Sequence, residues 1–237
     1  MKLKTCLALL SGLILGVAFA EDGYIQSDGT QFVNTGYHVK PTTRLEIDYQ
    51  LTSFVGQDRI FCGDDFKSLA VEFYVQGTAT NSGTLAFIYG YSPETGKSQT
   101  ASKVATASLD RTKASIDFQK GVCAVGTSTA NLDKTFIAGL DPSNAPLTLF
   151  GRNTKAAGDE TDYRATMKLY GFKVYESDVL VHDYVPAKKD GEVGLYDEVG
   201  GGFVTRGSAH TLACGGDVKV VTSDLMAITS NRTERSL

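Results

Sequence analysis

Glu46-Ile47-Asp48-Tyr49-Gln50 sets two carboxylates and an amide at every second position. Alternate side chains of a strand share one face, so Glu46, Asp48 and Gln50 stand in a row. Two carboxylates on one face are the equipment of glycoside hydrolysis, which in its retaining form holds them about 5–5.5 Å apart. Gln50, an amide, adds no proton to deliver to a leaving oxygen. The same spacing describes a solvated strand face. We expect that role, with Glu46 and Asp48 as a catalytic pair the alternative.

Other residues could hold a ligand. Asp64-Asp65, with Asp58 nearby, could contribute to a calcium site, and Asp22, Asp28 and Asp162 are further oxygen donors. Calcium takes six to eight oxygens, and no EF-hand-like loop gathers them, so an exposed acidic turn is the plainer expectation. Calcium at Asp64 and Asp65 is the one cofactor considered. Tyr89 and Tyr91 fall on one face of a strand, where two rings could form a stacking platform for a sugar. Arg152 and Asn153, after the Phe150-Gly151 bend, could add hydrogen bonds. These four are the candidate ligand-binding residues, and packing of both tyrosines in the core is the plainer expectation.

The remaining features carry less chemistry. His182 and Asp183 are neighbours on a strand and face opposite ways, so they form no hydrogen-bonded couple. His38 and His210 are scattered. Gly200-Gly201-Gly202 lacks the Lys-Ser/Thr of a phosphate loop and reads as a turn between strands. No Gly-x-Ser-x-Gly nucleophile motif occurs.

The elements that must position these residues are strands. From Arg44 to Leu51 the odd positions are apolar and the even ones polar. Leu69 to Gln76, Leu85 to Tyr91 and Ala114 to Gln119 alternate likewise, each reading as a half-buried strand. Gln119-Lys120-Gly121-Val122 reads as a hairpin turn. Between Thr166 and Tyr175 the alternation slips by one, and a β-bulge at Tyr170-Gly171 would keep Met167, Leu169, Phe172 and Val174 on one side. Ser92 to Lys103 and Ala156 to Asp162 read as surface loops. No window shows a helical stripe. Many short strands with Gly-rich turns predict an all-β fold, a two-sheet antiparallel sandwich or a barrel.

Composition narrows the function classes. The 237 residues are 42% hydrophobic and 21% charged, as in a globular chain rather than a disordered one. A net charge of −4 argues against a nucleic-acid partner, which wants a concentrated basic face. Met1 to Ala20 reads as a secretory signal peptide: Lys2 and Lys4, the apolar run Leu7 to Ala18, then Ala18-Phe19-Ala20 at the cleavage site. That run is too short to span a membrane, so no span is expected after cleavage. Loss of Lys2 and Lys4 takes the 23 basic residues to 21 against 27 acidic ones. Cys62, Cys123 and Cys214 then remain, an odd set that allows one disulfide or three buried thiols. With no linker or repeat, residues 21–221 read as one domain and 222–237 as a frayed tail.

Two blocks carry a family resemblance. Tyr24-Ile25-Gln26-Ser27-Asp28-Gly29-Thr30-Gln31-Phe32-Val33-Asn34-Thr35-Gly36-Tyr37 resembles the opening of a group of exported bacterial and phage-associated proteins. Leu180-Val181-His182-Asp183-Tyr184-Val185-Pro186-Ala187, continuing through Gly194-Leu195-Tyr196-Asp197 to Gly202-Phe203-Val204-Thr205, is similar to the close of that group. The group resembles the laminin-G-like branch of the concanavalin A-like lectin/glucanase superfamily, and Pro146 to Asn153 also fits it. The resemblance implies a jelly roll of two antiparallel sheets. In the superfamily's laminarinase-type glycosidases a Glu-Ile-Asp-x-Glu strand supplies nucleophile, helper and acid/base, which implies roles for Glu46 and Asp48 but puts Gln50 where the proton donor belongs. The expected function is therefore an exported binding or adhesion module for a glycan or a surface protein. The alternatives are a glycoside hydrolase and a structural subunit of a surface assembly.

Overall fold

The computed structural model describes residues 22–63, 71–92, 97–140, 146–151, 164–205, 207 and 210–222. In chain order the first strands are β1 (Tyr24–Asp28), β2 (Val33–Asn34), β3 (Thr43–Ser53), β4 (Arg59–Gly63), β5 (Val71–Ala79) and β6 (Ser82–Ser92). There follow β7 (Lys97–Thr106), β8 (Thr112–Asp117), β9 (Val122–Val125), β10 (Ser128–Asn131) and the short helix α1 (Lys134–Ile137). The chain continues through β11 (Thr148–Leu149), β12 (Thr166–Glu176), β13 (Val179–Lys189) and β14 (Glu192–Asp197). It closes with β15 (Phe203–Val204), β16 (Ala213–Gly215) and β17 (Lys219–Val221).

These strands form two sheets. The larger runs β10-β9-β8-β3-β12-β13-β14-β15, with β1 paired to β12, β16 to β1, and β17 to β13. The smaller runs β2-β11-β4-β5-β6-β7. All neighbours are antiparallel except β13 and β17. The fold is the expected two-sheet antiparallel β-sandwich. Aromatic side chains join the layers: Tyr49 of the large sheet meets Phe73 of the small one edge-on at 6.1 Å, and Phe61 lies 6.2 Å from Phe172.

The strand alternation sets which side chains reach that core. Leu45, Ile47, Tyr49 and Leu51 are buried. Arg44, Glu46, Asp48 and Gln50 keep the opposite, partly exposed face. The expected bulge is present, because the register between β12 and β3 passes from Leu169↔Tyr49 to Gly171↔Asp48 and leaves Tyr170 as the extra residue. At the β8–β9 turn Gly121 has φ +74°, and the Asp117 carbonyl accepts from its N–H at 2.8 Å.

Two expectations are corrected. The described part of Ser92 to Lys103 is strand rather than loop: β6 extends to Ser92 and β7 starts at Lys97, the two paired antiparallel. This polar strand lies at the edge of the small sheet, where one side has no neighbour and few apolar residues are needed. Strand β5 is not half-buried, since Glu72 and Tyr74 are as covered as the inward Val71, Phe73 and Val75. Glu72, 2% exposed, takes Arg59 at 3.0 and 2.9 Å from two guanidinium nitrogens. Ala156 to Asp162, expected as a surface loop, lies outside the described residues, as do residues 1–20 and all of the 222–237 tail but Thr222.

Cys62 and Cys123 are buried and Cys214 is half-buried. Burial pushes the Cys123 thiol up to about 12, so it packs as an unreactive group. Among the described residues no helix is long and apolar enough to cross a membrane.

Removing one partner of the covered Arg59–Glu72 pair strands a charge. Glu72→Ala should cost about 3–5 kcal/mol in urea unfolding, while replacing both by apolar residues of similar volume should recover most of it.

Candidate functional site

The outward side chains of the large sheet line up across its strands. Register places Ala124 of β9 beside Ser115 of β8, Ser115 beside Glu46 of β3, Glu46 beside Lys173 of β12, and Lys173 beside Asp183 of β13. A second row joins Lys113, Asp48 and Gly171. These residues, with Gly126, Tyr170 and Val185, line a depression of about 440 Å³. Small residues make its floor: Ala124, Ser115, Gly126 and Gly171. Five strands at about 4.8 Å spacing make the first row about 19 Å long.

The charged groups in the depression are held by neighbours. Arg111 grips Asp48 with two nitrogens at 2.8 and 2.9 Å and reaches Asp22 at 2.6 Å. The hydrogen bonds Arg111 donates to Asp48 raise its pKa further above its ordinary value. Lys173 donates to Asp183 at 2.6 Å, which raises the Lys173 pKa. Glu46 accepts from Arg44 and, at 3.2 Å, from the Tyr175 hydroxyl. Burial and the Glu46 charge both push that hydroxyl upward. Cations also lie over the outward tyrosines: Arg44 over Tyr175 at 3.6 Å, Arg111 over Tyr170 at 3.8 Å and Lys168 over Tyr24 at 4.0 Å.

Glu46 and Asp48 therefore share a depression, as their spacing predicts. Gln50 is engaged as an amide, its Nε2 donating to the Leu109 carbonyl and its Oε1 accepting from the Tyr170 hydroxyl. The row offers hydrogen-bond donors and acceptors in alternation, a set that can bind hydroxyl groups.

Tyr89 is 1% exposed, its ring stacked on Phe87 at 5.5 Å and its hydroxyl accepting from the Asp133 N–H just before α1. It packs the core and presents no face to a ligand. The Tyr91 side chain, Arg152, Asn153, Asp64, Asp65 and Asp162 lie outside the described residues. Of the remaining acidic candidates, Asp58 accepts from the Val55 N–H, Asp28 from Thr30, and Asp22 pairs with Arg111. Among the described residues no three metal-binding side chains converge.

His182 and Asp183 do face apart, Asp183 outward to Lys173 and His182 inward. Sequence spacing did not reveal the histidine's partner, Asp197, whose Oδ2 lies 2.7 Å from its Nδ1. The imidazole stacks on Tyr184 and meets Tyr37 edge-on. Gly200 to Gly202 form the turn after β14, where Gly201 donates to the Asp197 carbonyl.

No family model matches the chain, and no curated protein matches it. Among solved structures it is similar to the native heptameric SAP-like pentraxin from Limulus polyphemus, with a TM-score of 0.42 and 13% identity. That likeness covers 67% of this chain and 77% of the other. Another is tailspike protein 2 from Escherichia coli O157:H7 bacteriophage CAB120, with a TM-score of 0.41 and 12% identity. It covers 64% of this chain and 22% of the tailspike.

Burial works against the Asp197 charge, but hydrogen bonds from His182 and from the Asp183, Val199 and Gly200 N–H groups outweigh it and hold its pKa below the ordinary value. A lowered carboxylate pKa stabilises the fold above the unfolded value of about 3.9, and that contribution is lost as pH falls through the folded one. Asp197→Asn should lower Tm at pH 6 and flatten the acid limb of Tm against pH between about pH 2 and 5.

Proposed function

We propose that this protein is an exported glycan-binding module whose site is the depression on the outward face of the large sheet. The observation that carries the reading is the row Ser115–Glu46–Lys173–Asp183, in which acceptors and donors alternate across four strands. Each sugar hydroxyl both donates and accepts, so such a row suits a polyhydroxyl chain laid along it. Side chains already fixed by Arg44, Arg111 and Tyr175 lose little freedom on binding. Export is supported by the signal-like first 20 residues. The first described residue after them, Asp22, is already tied to Arg111 and bridged to Asp217.

Binding rather than hydrolysis is the reading because the carboxylates serve as ion-pair partners. Asp48 is clamped by two guanidinium nitrogens, Glu46 is held by Arg44, and Gln50 stands where a proton donor is needed.

The mature chain, residues 21–237, should be retained by at least one column of a polysaccharide panel. Ser115→Val and Asp183→Ala should each weaken that retention tenfold or more while leaving the near-ultraviolet circular dichroism unchanged. Failure of every polymer to retain the wild type would refute glycan binding. Mass spectrometry of the exported protein should find Glu21 as its first residue; an intact Met1 in that protein would refute signal cleavage.

A further inference from the structure

The bulge in β12 turns two consecutive residues outward. Tyr170 reaches Gln50, and Gly171 is paired with Asp48, so a side chain at either position stands on the solvent face. Tyr170 walls the depression and Gly171 floors it. Glycine at 171 is not required by the backbone. Its φ lies outside the left-handed region, and an added Cβ would meet only the Tyr184 carbonyl oxygen, at an ordinary 3.8 Å. Gly126 in the same lining differs, with φ +56°. In a strand interior glycine weakens pairing relative to a residue with a side chain, and often marks a place where something approaches the backbone closely.

The charges around this gap are already balanced. Lys173 lies between Glu46 and Asp183, and Asp48 lies between Arg111 and Lys113, the latter at 3.7 Å. An anionic ligand would sit against three carboxylates and would have to displace them from their cations. A cationic ligand would meet Lys113, Lys173 and Arg111 in the same way. An uncharged polyhydroxyl ligand hydrogen-bonds to the ion pairs and leaves them intact.

We propose that Gly171 determines specificity: its missing side chain makes room for a ring of a neutral polysaccharide over the β12 bulge, among charges that are mutually paired. This rests on the glycan-binding reading and adds the ligand's charge class and the residue that admits it.

The test is affinity electrophoresis and calorimetry of the mature chain with neutral polymers (laminarin, xylan) and an acidic one (alginate), at 50 and 500 mM salt. Binding to a neutral polymer should change less than twofold between the two salt concentrations, since no net charge is neutralised. Gly171→Ala should keep or raise Tm and weaken binding a few-fold, and Gly171→Leu should abolish it. Gly171→Ala keeps the proposal testable if the leucine variant does not fold. Preference for alginate that fades with salt would overturn the neutral-ligand inference while leaving glycan binding in place. Undiminished binding by a folded Gly171→Leu would remove Gly171 from the site. Retention of no polymer at all would overturn both readings together.

Discussion

Strands β3 and β12 run antiparallel through the middle of the large sheet, and the pairing between them sets the rest. On the inner face Leu45, Ile47, Tyr49 and Leu51 lie opposite Val174, Phe172, Leu169 and Met167. A slip of one residue in either strand would turn a whole row of these side chains to water. The β12 sequence is itself out of phase by one residue, and the extra residue at Tyr170 absorbs the mismatch. The core thus demands the bulge. The bulge in turn places Tyr170 and Gly171 side by side on the outer face, so an interior packing requirement shapes the exterior depression.

Charge organises the outer face as apolar contact organises the inner one. Exposed ion pairs contribute little to stability one at a time. Here their consequence is geometric: Arg111 links β3 to the chain ahead of β1, Lys173 links β12 to β13, and cations rest on tyrosine rings. The face is polar yet ordered, with its charged groups held by neighbouring side chains. The outer side of the small sheet differs, because Glu72 and Arg59 are covered there and pair with each other.

Much of this was legible in local pattern. The β3 alternation specified which side of the strand Glu46 and Asp48 would occupy, and the phase slip between Leu169 and Phe172 located the bulge to the residue. Strand β7 was not legible, since an edge strand can be made of Lys, Ser, Gln and Thr without an apolar row. Asp197 was hidden for another reason. It meets His182 from the next strand, and only the β13–β14 register brings the two within hydrogen-bonding distance. Tyr89 illustrates the limit of periodicity, which placed its ring on the apolar face of β6 and could not tell whether that face ended at the surface.

The sequence by itself determined the all-β class, the inward and outward faces of the central strands and the position of the bulge. All three follow from the two-residue period of an extended chain, a property of neighbours. The tertiary structure alone decided that Ser115, Glu46, Lys173 and Asp183 stand in one row, that Arg111 clamps Asp48, and that Gly171 lies on the floor between them. Those relations depend on register between strands far apart in the chain. That register is settled by the packing of two sheets against each other, and no local spacing encodes it.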